Sequence, residues 1–106
     1  MTLLDEHVER FNEGVRTGDW SRMVDQFADD GELVFEGIPV GPFRGRAAIA
    51  DAYRMQPPDD EIVLLEQDKR VVVYAWARKP TLRAGQLRVV EDDGQMRRLT
   101  VVYERD

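Results

Sequence analysis

The sequence predicts an α+β domain in which helices cover one face of a curved, mostly antiparallel sheet. Three observations carry that expectation. Apolar residues recur at helical spacing through much of the first half of the chain. β-Branched and aromatic runs fill the second half. Asp92-Asp93-Gly94 separates the last two of these runs as a hairpin turn does. Helices kept apart from a contiguous set of strands pack together on one side of the sheet. With 106 residues, 42% of them hydrophobic, there is material for one core, so residues 1–106 are expected to form a single domain.

Leu4, Val8, Phe11 and Val15 step by four, three and four residues, a single helical stripe, with Thr2 and Asp5 at capping-box spacing before it. Gly18 supplies a left-handed stop and Asp19 a new N-cap. Trp20, Met23, Val24 and Phe27 then mark a second, shorter helix. Asp29-Asp30-Gly31 reads as a turn and Glu32 to Glu36 as a short strand, with Leu33 and Phe35 on one side. Gly37, Pro39, Gly41 and Pro42 enforce a loop. A third helix runs from Arg46 through Ile49 to Tyr53 and ends at Pro57-Pro58, because proline has no amide hydrogen to donate. Four strands follow, at Ile62 to Gln67, Arg70 to Arg78, Gln86 to Glu91 and Met96 to Glu104. Lys79 to Gly85 is the least patterned stretch and is expected to be mobile.

Charge and composition exclude several classes of function. Fifteen Lys and Arg against 21 Asp and Glu give a net charge of −6, which repels a polyanion, so no nucleic-acid partner is expected. No apolar run reaches the roughly 18 to 20 residues of a membrane span, and the acidic amino terminus is unlike a signal peptide, so a cytoplasmic location without membrane contact is expected. The absence of cysteine removes disulfides, thiolate nucleophiles and zinc knuckles; a single histidine, His7, removes multi-histidine sites. Asp59-Asp60-Glu61 and Glu91-Asp92-Asp93 lack calcium-loop spacing, so no metal or other cofactor is expected. Carboxylates, arginines, tyrosines and hydroxyls remain for chemistry.

Glu36 is the sharpest candidate base, since a bulge at the Glu36-Gly37 step would swing its carboxylate inward, where desolvation raises its pKa. A two-residue period alone instead leaves it facing solvent. Tyr53, four residues after Ile49, turns its ring toward the sheet, with its hydroxyl at a pocket or bonded to backbone. His7, at the edge of the first helical stripe, is either a proton shuttle or a partly exposed helix residue. Arg44-Gly45-Arg46 and Arg97-Arg98 offer forks for an anion or are solvated surface. Along the strand from Arg70 to Arg78 the face bearing Tyr74, Trp76 and Arg78 suggests a homodimer surface; the alternative is that Trp76 and Arg78 line a pocket.

Four segments together resemble the nuclear transport factor 2-like superfamily, the cone fold of ketosteroid isomerase, scytalone dehydratase and the SnoaL-like polyketide cyclases. They are Phe11 followed by Gly18-Asp19, Phe27-Ala28-Asp29-Asp30, Gly45 with Ala47-Ala48-Ile49 and Tyr53, and Gly94 before the closing strand. The resemblance implies three N-terminal helices on a curved sheet that forms a conical half-barrel. It also implies an interior pocket lined by Phe11, Val15, Phe27, Leu33, Phe35, Tyr53, Val73, Leu87, Val89, Leu99, Val101 and Tyr103, a nearly wholly apolar surface. The isomerase triad is not matched. Phe11 stands where the oxyanion tyrosine is expected, Phe35 at the base with Glu36 beside it, and the third position falls near Gly85; only the supporting tyrosine has a counterpart, in Tyr53. The expected function is therefore binding of a small apolar or aromatic molecule, with Glu36 and Tyr53 as the candidate acid/base pair. The alternative is a non-catalytic binding or dimerisation module of the same fold.

Overall fold

The computed structural model describes residues 2–104. Helix α1 spans Leu3–Thr17, and its start is the capping box expected from Thr2 and Asp5. The Thr2 hydroxyl accepts the Asp5 N–H at 3.2 Å and the Asp5 carboxylate accepts the Thr2 N–H at 3.0 Å. Gly18 ends the helix at φ 80°, donating its N–H to the Gly14 carbonyl at 2.8 Å. Leu4, His7, Val8, Phe11 and Gly14 are its buried residues. Gly14 is there because the Trp20 indole lies against it, and a β-carbon would fall inside that ring system.

Three N-terminal helices are not what the fold contains. Helix α2 is one turn, Ser21–Val24, and α3, Arg46–Met55, comes only after two strands, β1 (Phe27–Glu36) and β2 (Phe43–Arg44). The N-cap of that turn is Trp20 and not the expected Asp19, which lies one residue earlier and accepts from the Ser21 N–H at 3.0 Å and the Ser21 hydroxyl at 2.7 Å. The expected turn at Asp29-Asp30-Gly31 lies inside β1 instead. There the pairing with the last strand shifts: Phe27 is opposite Met96 and Glu32 opposite Arg98, so five residues of β1 match two of its partner. The turn-forming residues are absorbed in an irregularity that bends the strand. Arg46 holds the bend to α3, donating to the Phe27 carbonyl at 2.8 Å and pairing with Asp29 at 3.1 Å.

The remaining strands are β3 (Ile62–Gln67), β4 (Val71–Trp76), β5 (Arg83–Asp92) and β6 (Gln95–Tyr103). β4 is shorter than expected because Ala77 to Leu82 form turns, and β5 begins earlier, so the carboxyl end of the Lys79–Gly85 stretch is strand. The six strands run in the order β2-β1-β6-β5-β4-β3, antiparallel except for the β1–β6 pair. Register also shifts between β3 and β4, β4 and β5, and β5 and β6, and such bulges curl a sheet. The core fills the concave side with Leu4, Phe11, Trp20, Met23, Phe27, Leu33, Ile49, Leu87, Met96 and Leu99. No helix among the described residues is long and apolar enough to cross a membrane.

Candidate functional site

Between the concave sheet face and the helices α1 and α3 lies a cavity of about 540 Å³. Side-chain alternation decides which residues reach it. On β1, Leu33 and Phe35 point inward; on β5 and β6, Leu87 pairs with Val101, and both line the wall. Helix α1 contributes His7 and Phe11, and α3 contributes Ala52 and Tyr53. The β1–β2 connection brings Ile38 and Val40 to the opening, and β2 adds Phe43. The segment after α3 supplies Gln56, Pro58, Asp59 and Asp60.

The aromatic walls are built by contacts between elements. Phe11 meets Tyr53 edge-on at 6.4 Å between ring centroids, and Tyr74 meets Trp76 edge-on at 5.5 Å. Phe35 stacks on Tyr103 at 6.2 Å with 22° between the ring planes, and Phe43 closes on Phe35 edge-on. Such a lining suits a flat, apolar guest and offers few polar atoms to orient it.

Of the residues expected at the pocket, Phe11, Leu33, Phe35, Tyr53, Leu87, Val101 and Tyr103 border the cavity. Phe27, Val89 and Leu99 belong to the solid core, and Val15 packs half-buried against that core. Val73 sits on the opposite side of β4 from Tyr74, by the two-residue period. Glu36 is exposed at the end of β1, outside the cavity. The β1 irregularity falls between Phe27 and Glu32 rather than at Glu36, so nothing turns that carboxylate inward.

The Tyr74, Trp76 and Arg78 face, expected at a dimer surface, turns inward in this chain: all three line the cavity and Tyr74 is fully buried. Val72 pairs with Leu87, which fixes the parity of β4 and sends Tyr74 and Trp76 to the concave side. That pairing was the missing information. Val72, Tyr74 and Trp76 alternate in the sequence, but which face they occupy depends on the register with β5. For His7 a signal was available. Leu4, His7 and Phe11 are spaced three and four residues apart, and His7 is buried with its neighbours rather than at the edge of the stripe.

Ionisation inside the cavity is governed by burial. The His7 imidazole is pushed down to about 4 because burial disfavours its charged form, an effect only partly opposed by the adjoining Gln26 side chain. Burial raises the Tyr53, Tyr74 and Tyr103 phenols above their ordinary range, and Tyr103 adds to the effect at both Tyr53 and Tyr74. At neutral pH the interior therefore presents a neutral imidazole and protonated phenols. Charge is confined to the mouth. Arg78 stands 3.6 Å from the Asp59 carboxylate and donates to the Asp59 carbonyl at 3.1 Å, while Asp60 accepts the Arg78 and Glu61 N–H groups. Of the arginines weighed as anion forks, Arg46 is engaged as described, Arg98 pairs with Glu32 at 3.0 Å and Arg97 with Asp92 at 3.8 Å, while Arg44 is exposed on β2.

Comparison with known proteins places this geometry among relatives. Residues 8–102 match the profile of the family described as SnoaL-like domain. No curated protein matches the chain. A protein from Sphaerobacter thermophilus of solved structure is 28% identical, covering 98% of this chain and 94% of its own, with a TM-score of 0.67. A candidate ketosteroid isomerase from Kribbella flavida shares the fold at 15% identity, TM-score 0.65, over 95% of this chain and 77% of its own. A candidate polyketide cyclase from Xanthomonas campestris does so at 22% identity, TM-score 0.57, over 96% and 90%.

Proposed function

The chain belongs to the SnoaL-like domain family, and from that membership and the shape of its cavity we propose that it binds a small, flat, apolar or aromatic molecule inside the cone. The single observation that carries this reading is the hollow of about 540 Å³ with aromatic and aliphatic walls and its charges held at the mouth. A volume of that order accommodates a two- or three-ring molecule, and ligand sites of such size are mostly apolar with a few placed polar groups.

The same placement favours binding over enolisation of the ketosteroid isomerase type. Among the described residues lining the cavity the carboxylates are Asp59 and Asp60, both at the mouth and both bonded to Arg78. Phe11 and Phe35 present rings where an oxyanion donor and a base are needed. Tyr53 remains as a hydrogen-bond donor on the wall, without Glu36 as its partner.

Titration with naphthalene tests the reading. Binding is expected to shift the methyl resonances of Leu33, Leu87 and Val101 together, and Leu87→Trp, which fills the hollow, is expected to abolish the shifts. Methyl resonances that stay unmoved at saturating naphthalene refute it.

A further inference from the structure

We infer that the hydroxyls of Tyr53 and Tyr103 make the cavity selective for a guest that carries a neutral carbonyl oxygen, an acceptor for the hydrogens of both phenols. The inference rests on the ligand-binding reading above and adds the polar group that the apolar walls leave unspecified.

Three tyrosines line the cavity, and their hydroxyls differ in what can reach them. The Tyr74 hydroxyl is sealed from solvent, so no guest touches it. Tyr53 is buried and Tyr103 half-buried, and neither hydroxyl has a hydrogen-bond partner among the described residues, yet neither oxygen is sealed. Each O–H therefore keeps accessible surface on a residue of the cavity wall. A phenol that bonds neither backbone nor side chain depends on water, and a hydrocarbon guest takes that water away and returns nothing. A guest with an acceptor makes good the loss.

Both rings are held before a guest arrives. Tyr53, on α3, lies 4.9 Å from Trp20 and meets Phe11 edge-on, while Tyr103, at the end of β6, stacks on Phe35. Gly85, which pairs with Tyr103 across β5 and β6, puts no side chain beside that ring. The two phenols approach from the helical and the sheet wall, and a charge on Tyr103 is felt at Tyr53, so they stand within electrostatic reach of each other. Burial keeps both protonated at neutral pH, and each has one hydrogen to give. A carbonyl oxygen offers two lone pairs and no hydrogen, whereas a guest hydroxyl must also place a hydrogen of its own against two donors. A carboxylate would bury its charge among rings, since the cations Arg78 and Lys79 stand at the mouth and Arg78 is engaged by Asp59.

Calorimetric titration with 2-acetonaphthone, 1-(2-naphthyl)ethanol and 2-ethylnaphthalene, which share one outline, isolates the effect of the oxygen. Tyr53→Phe and Tyr103→Phe each delete a hydroxyl without a partner, so the fold is expected to be kept. Each is expected to weaken binding of the ketone about fivefold and the double variant about 25-fold, with 2-ethylnaphthalene unchanged and the alcohol losing less than the ketone. In the infrared, the carbonyl stretch of the bound ketone is expected below its position in hexane and should return toward that position in the double variant. A ketone affinity and carbonyl stretch that the double variant leaves unmoved, or an alcohol that loses as much as the ketone, overturns the carbonyl site alone when 2-ethylnaphthalene still binds. Failure of all three probes to bind overturns the cavity reading with it.

Discussion

Asn12 is joined to Ile62 twice: its amide Nδ2 donates to the Ile62 carbonyl at 3.0 Å, and its Oδ1 accepts the Ile62 N–H at 2.7 Å. The side chain thus acts as a rung added to the edge strand β3, and it covers backbone groups that β4 does not reach. It also sets the height of α1 over the sheet. With Asn12 fixed at Ile62, Phe11 comes to 6.5 Å from Trp76 and closes the cavity wall there.

Asn12→Ala removes both bonds and leaves the Ile62 backbone unpaired in a half-buried place. A loss of about 1–3 kcal/mol in unfolding free energy by urea denaturation is expected. An unchanged midpoint would mean that solvent satisfies Ile62 as well as Asn12 does.

Gly85 sits opposite Tyr74 on β4 and Tyr103 on β6, and a β-carbon there would drive into the Val102 carbonyl. Gly85→Ala is expected to cost about 3 kcal/mol or more, because the clash is with backbone in the middle of the sheet and not with a side chain that can turn aside. Thermal unfolding gives the loss. A variant as stable as the parent would show that the sheet can flatten at this bulge.

Stability should depend on pH through His7. Its ordinary value is 6.5 and burial pushes it down to about 4, so between these values the unfolded chain holds the proton and the folded chain does not. Stability is therefore complete above about 6.5 and is lost as pH falls toward 4, by about 3 kcal/mol from this group alone. Asp5, Asp19 and Glu104, whose carboxyls are held below the ordinary range, are common to parent and variant. The difference between the parent and His7→Leu therefore isolates the imidazole. Parallel pH profiles for the two proteins would exclude a buried neutral histidine.

Phe35 borders the cavity between Tyr103 and Phe43 and is not closed in by the core. Phe35→Asp should weaken the fold by about 1–2 kcal/mol, less than the several expected for a charge sealed in a core, because the cavity admits water. Chemical denaturation at pH 7 decides. A loss above about 4 kcal/mol would place Phe35 in a dry core.

Much of the fold could be read from local spacing. The stripe on α1, its Thr2–Asp5 capping box, the Gly18 stop, the end of α3 before Pro57 and the bounds of β3 depend on residues a few positions apart, and the structure has them where that spacing puts them. Asp29-Asp30-Gly31 was misread because turn-forming residues also serve as an irregularity within a strand, and only the parallel pairing with β6 distinguishes the two. The cavity was half legible. Leu33 and Phe35 share a face by alternation, and the family resemblance implied that they line the pocket with Leu87 and Val101, whereas Tyr74 and Trp76 required the β4–β5 register and His7 required treating a polar residue as part of a buried stripe.

The order of residues by itself determined the domain's class, the stripes of α1 and α3, the strand segments of its second half and the poverty of ionisable groups available to its interior. Only the tertiary structure decided which face of β4 is hidden, that Glu36 stays in solvent, and that His7 and Tyr74 share the cavity with unpaired polar atoms. The reason is one of range. Helical period and capping act over a single turn, whereas the face a strand presents is set by its partner's register, and that register is fixed by contacts between residues far apart along the chain.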